Sequence, residues 1–121
     1  MRLKLGRIVL YTKRVEAMSS FYGKHFGFEV RQDEGDRITE LRSLSHGFIL
    51  MLHPAGKAQK EGQVLVKLVF DVEDVQSFCE TCRKNGLDFG PIHKADGYEF
   101  ANAKDPSKNA ISVSSRAFRR E

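Results

Sequence analysis

The chain has 121 residues, 40% of them hydrophobic, with 20 basic against 16 acidic side chains and a net charge of +4. That length fits one domain, which buries roughly two-thirds of its unfolded surface, and no apolar run approaches the ~18–20 residues of a membrane span. The positive excess is mild and spread out, except for the tail RAFRRE at 116–121, so nucleic acid is not an expected partner. The tail itself reads as solvated and frayed. The basic N-terminus lacks a small-residue cleavage site, and two cysteines without a secretory signal point to a cytoplasmic protein.

LGRIVLYT (5–12), rich in β-branched and aromatic residues, predicts a first strand. Val15, Met18, Tyr22 and Phe26 then recur at helical spacing up to a stop at Gly27. FEVRQ (28–32) and RITELRS (37–43) predict strands about the turn DEGD (33–36), and FILMLHP (48–54) predicts the next strand, limited by its proline. This gives a first module at about 3–54, followed by AGKAQKEGQ (55–63), which has the composition of a surface linker.

VLVKLVFDV (64–72) opens a second module running to about 116. Glu73 and Asp74 sit where a helix N-terminus favours negative charge. Val75, Phe78, Cys79 and Cys82 form the apolar stripe, with Asn85-Gly86 as the stop. LDFG leads into the loop-like PIHKADG (91–97), the strand-like YEFANA (98–103), the turn DPSKN (105–109) and a last strand in AISVSS (110–115).

The two halves repeat each other. At an offset of 60, Arg7 falls on Lys67, Val9 on Val69, Val15 on Val75 and Met18 on Phe78; after one deletion Gly27 falls on Gly86 and Val30 on Phe89. A repeat of this length predicts two stacked supersecondary units sharing a core, with matched positions meeting at a site. The order β-α-β-β-β, twice, predicts an α+β domain.

The first-strand pattern before SSFYGKHFGFEV, the strand and helix start LVFDVEDV, and the turn DPSKN before a strand, in that order on a repeat, resemble the vicinal oxygen chelate superfamily. That superfamily includes glyoxalase I, bleomycin-resistance proteins, fosfomycin-resistance enzymes and extradiol dioxygenases. The resemblance covers nearly the whole chain and implies two βαβββ modules with a mixed sheet curled around a cavity. It also implies a homodimer.

Enzymes of that superfamily hold a divalent metal in the cavity through side chains on matching strands of the two modules. Here the position opening the first strand, usually His, is Arg7, and its counterpart is Lys67. The carboxylate expected seven residues beyond the Asp of the DP turn is replaced by Ser112, and its first-module equivalent falls near Leu50, or Met51 one register step on. Divalent transition metals want imidazole, carboxylate or thiolate, and two cations would repel them. The expectation is therefore a protein without a metal or other cofactor.

Strand alternation groups Arg7, Val9 and Tyr11 on one face, Lys67, Val69 and Asp71 on the matching one, and Ser112 with Ser114 on the last strand. Such faces would offer a small ligand cations, a phenol, hydroxyls and a carboxylate, with Arg7 and Lys67 clamping an anionic group. The plainer alternative pairs Arg7 and Lys67 with Asp71, Glu40 or Glu99. Tyr98, Glu99 and Asn102, on the strand before the DP turn, are further contact candidates.

Glu99 and His53 are the weak candidates for acid–base work, with no orienting partner evident for either. Of the other histidines, His25, His46 and His93 show no metal-ligand spacing. Cys79 and Cys82 have CxxC spacing but lie inside a helix on its apolar stripe, which favours core packing over redox or zinc chemistry. The favoured expectation is a metal-free binder of a small anionic or aromatic ligand, resembling bleomycin-resistance sequestration. The alternative is a glyoxalase-family enzyme of lyase, isomerase or dioxygenase type with metal-independent chemistry. A third possibility is a structural domain whose cavity is filled by its own side chains.

Overall fold

A computed structural model describes residue 2, residues 5–43 and residues 47–119, so His46 and Arg120 lie outside the described residues. The chain divides into two compact units, Met1–Glu61 and Gly62–Glu121.

The first unit contains β1 (Arg7–Thr12), α1 (Val15–Phe26), β2 (Glu29–Arg31), β3 (Thr39–Arg42) and β4 (Ile49–Pro54). Its sheet has the order β1-β4-β3-β2, with β1 parallel to β4 and the other pairs antiparallel. Met18 and Tyr22 of α1 are fully buried, together with Leu41 and Leu52 of the sheet. Truncating such a side chain to alanine costs about 2–5 kcal/mol. α1 ends because Gly27 turns to φ 73°, a left-handed conformation that lets its N–H reach the Tyr22 carbonyl. The segment after β4 folds back on the first turn of the unit. Glu61 accepts from the Lys13 backbone N–H at 2.8 Å, and Lys13 Nζ donates to the Lys57 carbonyl at 3.2 Å.

The second unit contains β5 (Lys67–Asp71), α2 (Val75–Lys84), β6 (His93–Lys94), β7 (Glu99–Lys104) and β8 (Ala110–Ser114), then a single 3₁₀ turn at Arg116–Phe118. The sheet order is β5-β8-β7-β6, again with the outer strand β5 parallel to its neighbour. Asp74 caps α2 by accepting the Ser77 N–H at 3.0 Å, and at the other end the Leu87 N–H reaches the Cys82 carbonyl at 2.8 Å. The fold is therefore α+β with two βαβββ modules, each a four-stranded mixed sheet with one helix.

Three sequence expectations shift. β5 starts at Lys67, not Val64, because its ladder partner β8 starts opposite it at Ala110. The second strand of the second module is the two-residue β6 inside the segment expected to be loop; Leu87 and Phe89 pack instead, Phe89 against Phe78 at 6.4 Å. Arg116, although exposed, and Arg119 are not a loose tail, since both guanidiniums lie against the Tyr98 ring.

Candidate functional site

In each sheet one face packs on its helix and the other carries the residues singled out by alternation. In the first unit the parallel register pairs Arg7 with Ile49, Val9 with Met51 and Tyr11 with His53, so these six share a face. Val9 and Tyr11 are 40% and 52% exposed. Leu50 does not belong there. It pairs with Ile8 and is 3% exposed on the helix side, and Met51, one step on, holds the position expected for it.

Arg7 is not free. Its guanidinium lies 4.0 Å from Glu40, which also accepts from Arg42 at 2.6 and 2.9 Å. Glu40 and Arg42 sit on β3 opposite Met51 and Ile49, on the same face. Further along, the Tyr11 and His53 rings are 5.1 Å apart. His53 Nδ1 is 2.8 Å from the Pro54 carbonyl, so Nδ1 carries a proton and donates it, and Nε2 keeps its lone pair in the neutral ring.

The second unit presents a different face. Lys67, Val69 and Asp71 pair with Ala110, Ser112 and Ser114, and β7 adds Phe100 and Asn102 opposite Ser114 and Ser112. Lys67 Nζ donates to Asn102 Oδ1 at 3.0 Å and stands 6.0 Å from the Phe100 ring centre. His93 and Tyr98 flank the same ring at 5.0 and 6.1 Å. No carboxylate of the described residues lies within 4.0 Å of Lys67. Asp71 is exposed at the other end of β5.

Two hydroxyls are already engaged. Ser112 and Ser114 are buried; Ser112 Oγ donates to the Ala101 carbonyl at 3.0 Å, and Ser114 Oγ accepts the Arg116 N–H at 3.1 Å. Glu99 has the opposite parity to Phe100 and Asn102, which removes it from this face; its backbone is tied to Ser115. Phe100 and Arg42 are the functional candidates that reading the chain missed, while Glu40 stood among the expected partners of Arg7. Phe100 was within reach, two residues from Asn102 on the same strand, whereas the Arg7–Glu40–Arg42 grouping depends on cross-strand register.

Three further titratable groups, Cys79, Cys82 and His25, are partly or wholly buried. Burial pushes the Cys79 and Cys82 thiols up, with Cys79 adding to the effect on Cys82. His25 packs 5.1 Å from the Phe21 ring, and burial, with Lys24 beside it, holds its pKa below the usual value.

The sequence model of the Glyoxalase/Bleomycin resistance protein/Dioxygenase superfamily matches residues 4–113. The chain belongs to that superfamily. Among solved structures it is similar to UcmS2, at 22% identity over 95% of this chain and 99% of that one, with a TM-score of 0.79. TnmS3, an antibiotic binding protein from Streptomyces sp. CB03234, matches at 18% identity, 93% and 96% coverage and TM-score 0.78. A possible glyoxalase from Bacillus cereus matches at 21% identity, 93% and 98% coverage and TM-score 0.74. No protein of curated function matches the sequence. These likenesses establish the superfamily fold, and the chemistry has to be read from the residues.

On the first face Arg7 is cationic and Met51 offers a thioether; on the second Lys67 is cationic and the Ser112 hydroxyl is committed to a backbone carbonyl. Among the described residues no three His, Cys, Asp or Glu side chains are grouped to hold a metal ion. Neither of these pairs is a donor set that suits a divalent cation. No helix of the described residues is long and apolar enough to cross a membrane.

Proposed function

We propose that the protein binds a small anionic or aromatic molecule without a metal, and that the ligand contacts the open face of the second unit. Lys67 carries this reading: its ammonium is oriented by an amide and bordered by the Phe100 ring, with no carboxylate of the described residues to neutralise it. Phe100 and His93 offer aromatic area beside that charge, and Val69 is 54% exposed. Arg7, by contrast, shares its charge with Glu40, so the reading assigns the principal anion contact to Lys67, with Asp71 of the same strand in a lesser role. TnmS3 being an antibiotic binding protein supports sequestration as the purpose. In this reading the protein is cytoplasmic and works as a homodimer, the apolar run Val64, Leu65, Val66 being exposed in the single chain.

A thermal-shift screen of aromatic carboxylates and aryl phosphates, followed by calorimetry on the best binder, tests this. Lys67→Met should weaken binding about ten-fold or more, the effect of a lost charge-assisted hydrogen bond, while Arg7→Met changes it about two-fold at most. Unchanged affinity in Lys67→Met defeats the proposal.

One observation favours a second reading, a metal-independent enzyme. The bond from His53 Nδ1 to the Pro54 carbonyl orients the imidazole, whose ring lies 5.1 Å from that of Tyr11. Turnover of a bound compound without added metal, lost in His53→Gln, would move the assignment to that class.

A further inference from the structure

The turn after β8 is firmly fastened. Ser115 Oγ accepts the Glu99 N–H at 3.0 Å, and the Ser115 N–H donates to the Glu99 carbonyl at 3.0 Å, which ties the turn to β7. The Phe118 N–H then closes onto the Ser115 carbonyl at 2.9 Å and the Arg119 N–H onto the Arg116 carbonyl at 3.3 Å. Ser114 Oγ takes up the Arg116 N–H. The turn delivers two guanidiniums to one ring, Arg116 at 5.1 Å and Arg119 at 5.8 Å from the Tyr98 centroid.

A single arginine on an aromatic ring is a common arrangement that gains from the ring's negative face. A second one on the same ring adds repulsion between like charges, and an anion between them removes it. Arg7, Arg14, Arg31 and Arg42 each reach a carboxylate within 4.0 Å. Arg116 and Arg119, like Arg37 and Arg83, reach none among the described residues, and Arg116 and Arg119 alone of these share an aromatic ring among the described cation–π contacts, although Asp96 and Glu99 flank that ring in the chain. A guanidinium over a ring uses its face and keeps its in-plane N–H groups, which match the oxygens of a phosphate.

We propose that Arg116 and Arg119, gathered on Tyr98, form an oxyanion-binding site for one phosphate-type group, free or carried by a small organic molecule. The site does not rest on Lys67 and uses different side chains.

Calorimetry of the intact protein at low ionic strength, with inorganic pyrophosphate and with phenyl phosphate, tests it. Saturable binding of at least one probe that persists in Lys67→Met is expected, and whichever binds tighter tells free anion from organic phosphate. Arg116→Gln with Arg119→Gln should weaken binding about ten-fold or more. The control is Arg83→Gln with Lys84→Gln, which removes two charges from the last turn of α2; binding should then change about two-fold at most. Arg116→Lys with Arg119→Lys keeps the charge and should still lose affinity several-fold, because lysine lacks the planar fork.

Shifts of the Arg116 and Arg119 Nε–H signals on adding pyrophosphate to the unaltered protein give a readout that needs no variant. Three results overturn the proposal: no saturable binding of either probe, equal weakening by the α2 control pair, or unmoved Nε–H signals at saturation. A single-stranded RNA that binds more tightly than pyrophosphate, and is lost in the same glutamine variant, overturns it in favour of a nucleic-acid surface.

Discussion

Arg7 and Lys67 occupy the same place in the two modules, yet their surroundings have opposite character. Arg7 opens β1 and is drawn to Glu40, which Arg42 already holds at 2.6 Å. Lys67 opens β5 and meets an amide and an aromatic ring. Equivalent positions on one scaffold thus carry a charge that is internally compensated in one unit and has no carboxylate of the described residues beside it in the other. The difference comes from the neighbouring strand: β3 supplies Glu40 and Arg42 to the first face, and β7 supplies Phe100 and Asn102 to the second. A duplicated fold therefore does not imply a duplicated site.

The turns differ as much as the faces, and here the largest effect on stability is expected. Asp105 is buried in the turn before β8; its carboxylate accepts the Ser107 and Asn109 N–H groups and the Asn109 side-chain amide, each at 2.9 Å. In the first unit, Asp36 is exposed and accepts the Ile38 N–H at 2.9 Å. Asp105→Ala should cost about 2–3 kcal/mol in urea unfolding, because buried donors lose a charged acceptor. Asp36→Ala should cost about 0.5–1 kcal/mol. Equal costs would remove the distinction between the two turns.

The contrast also marks what could be read from the chain. Helix limits and strand parity follow from local pattern, so Gly27 and the alternation of Arg7, Val9 and Tyr11 were legible. β6 was not, because a two-residue strand has too few side chains to show a period and exists through its pairing with β7. Leu50 and Met51 could not be told apart without the β1–β4 register, since one step turns every side chain to the other face. The pairing of Arg7 with Glu40 stood among several alternatives, and cross-strand geometry selected it. Arg116 and Arg119 looked like a loose basic tail because nothing local links them to Tyr98.

The electrostatic contrast can be narrowed directly. Glu40→Gln leaves Arg7 and Arg42 without their shared carboxylate and should make the first face resemble the second. The first face should then take up an aryl carboxylate or phosphate about two- to five-fold more tightly than it does in the unaltered protein, the scale of a partly exposed ion pair. Calorimetry measures the gain, and chemical shifts of the Arg7 and Arg42 Nε–H groups locate it. If affinity stays level and those signals do not move, compensation by Glu40 is not what separates the two faces.

The smallest effect separates the helices by pH. His25 on α1 has its pKa lowered, first by burial and then by Lys24, so the unfolded chain binds its proton more readily than the folded one. Stability from this group is complete above the ordinary value of 6.5 and is lost as pH falls below it. Cys79 and Cys82 on α2 have raised values, so their contribution is complete below the ordinary value of 9.0 and is lost as pH rises above it. Acid should therefore loosen α1 and alkali α2. Amide hydrogen exchange, corrected for the intrinsic pH dependence, should show protection falling first in α1 on the acid side and first in α2 on the alkaline side. His25→Phe keeps an aromatic ring against Phe21 and should flatten the acid limb, while Cys79→Ala with Cys82→Ala should flatten the alkaline one. Parallel loss of protection in both helices at either end would mean that the units respond to pH together, through groups other than these three.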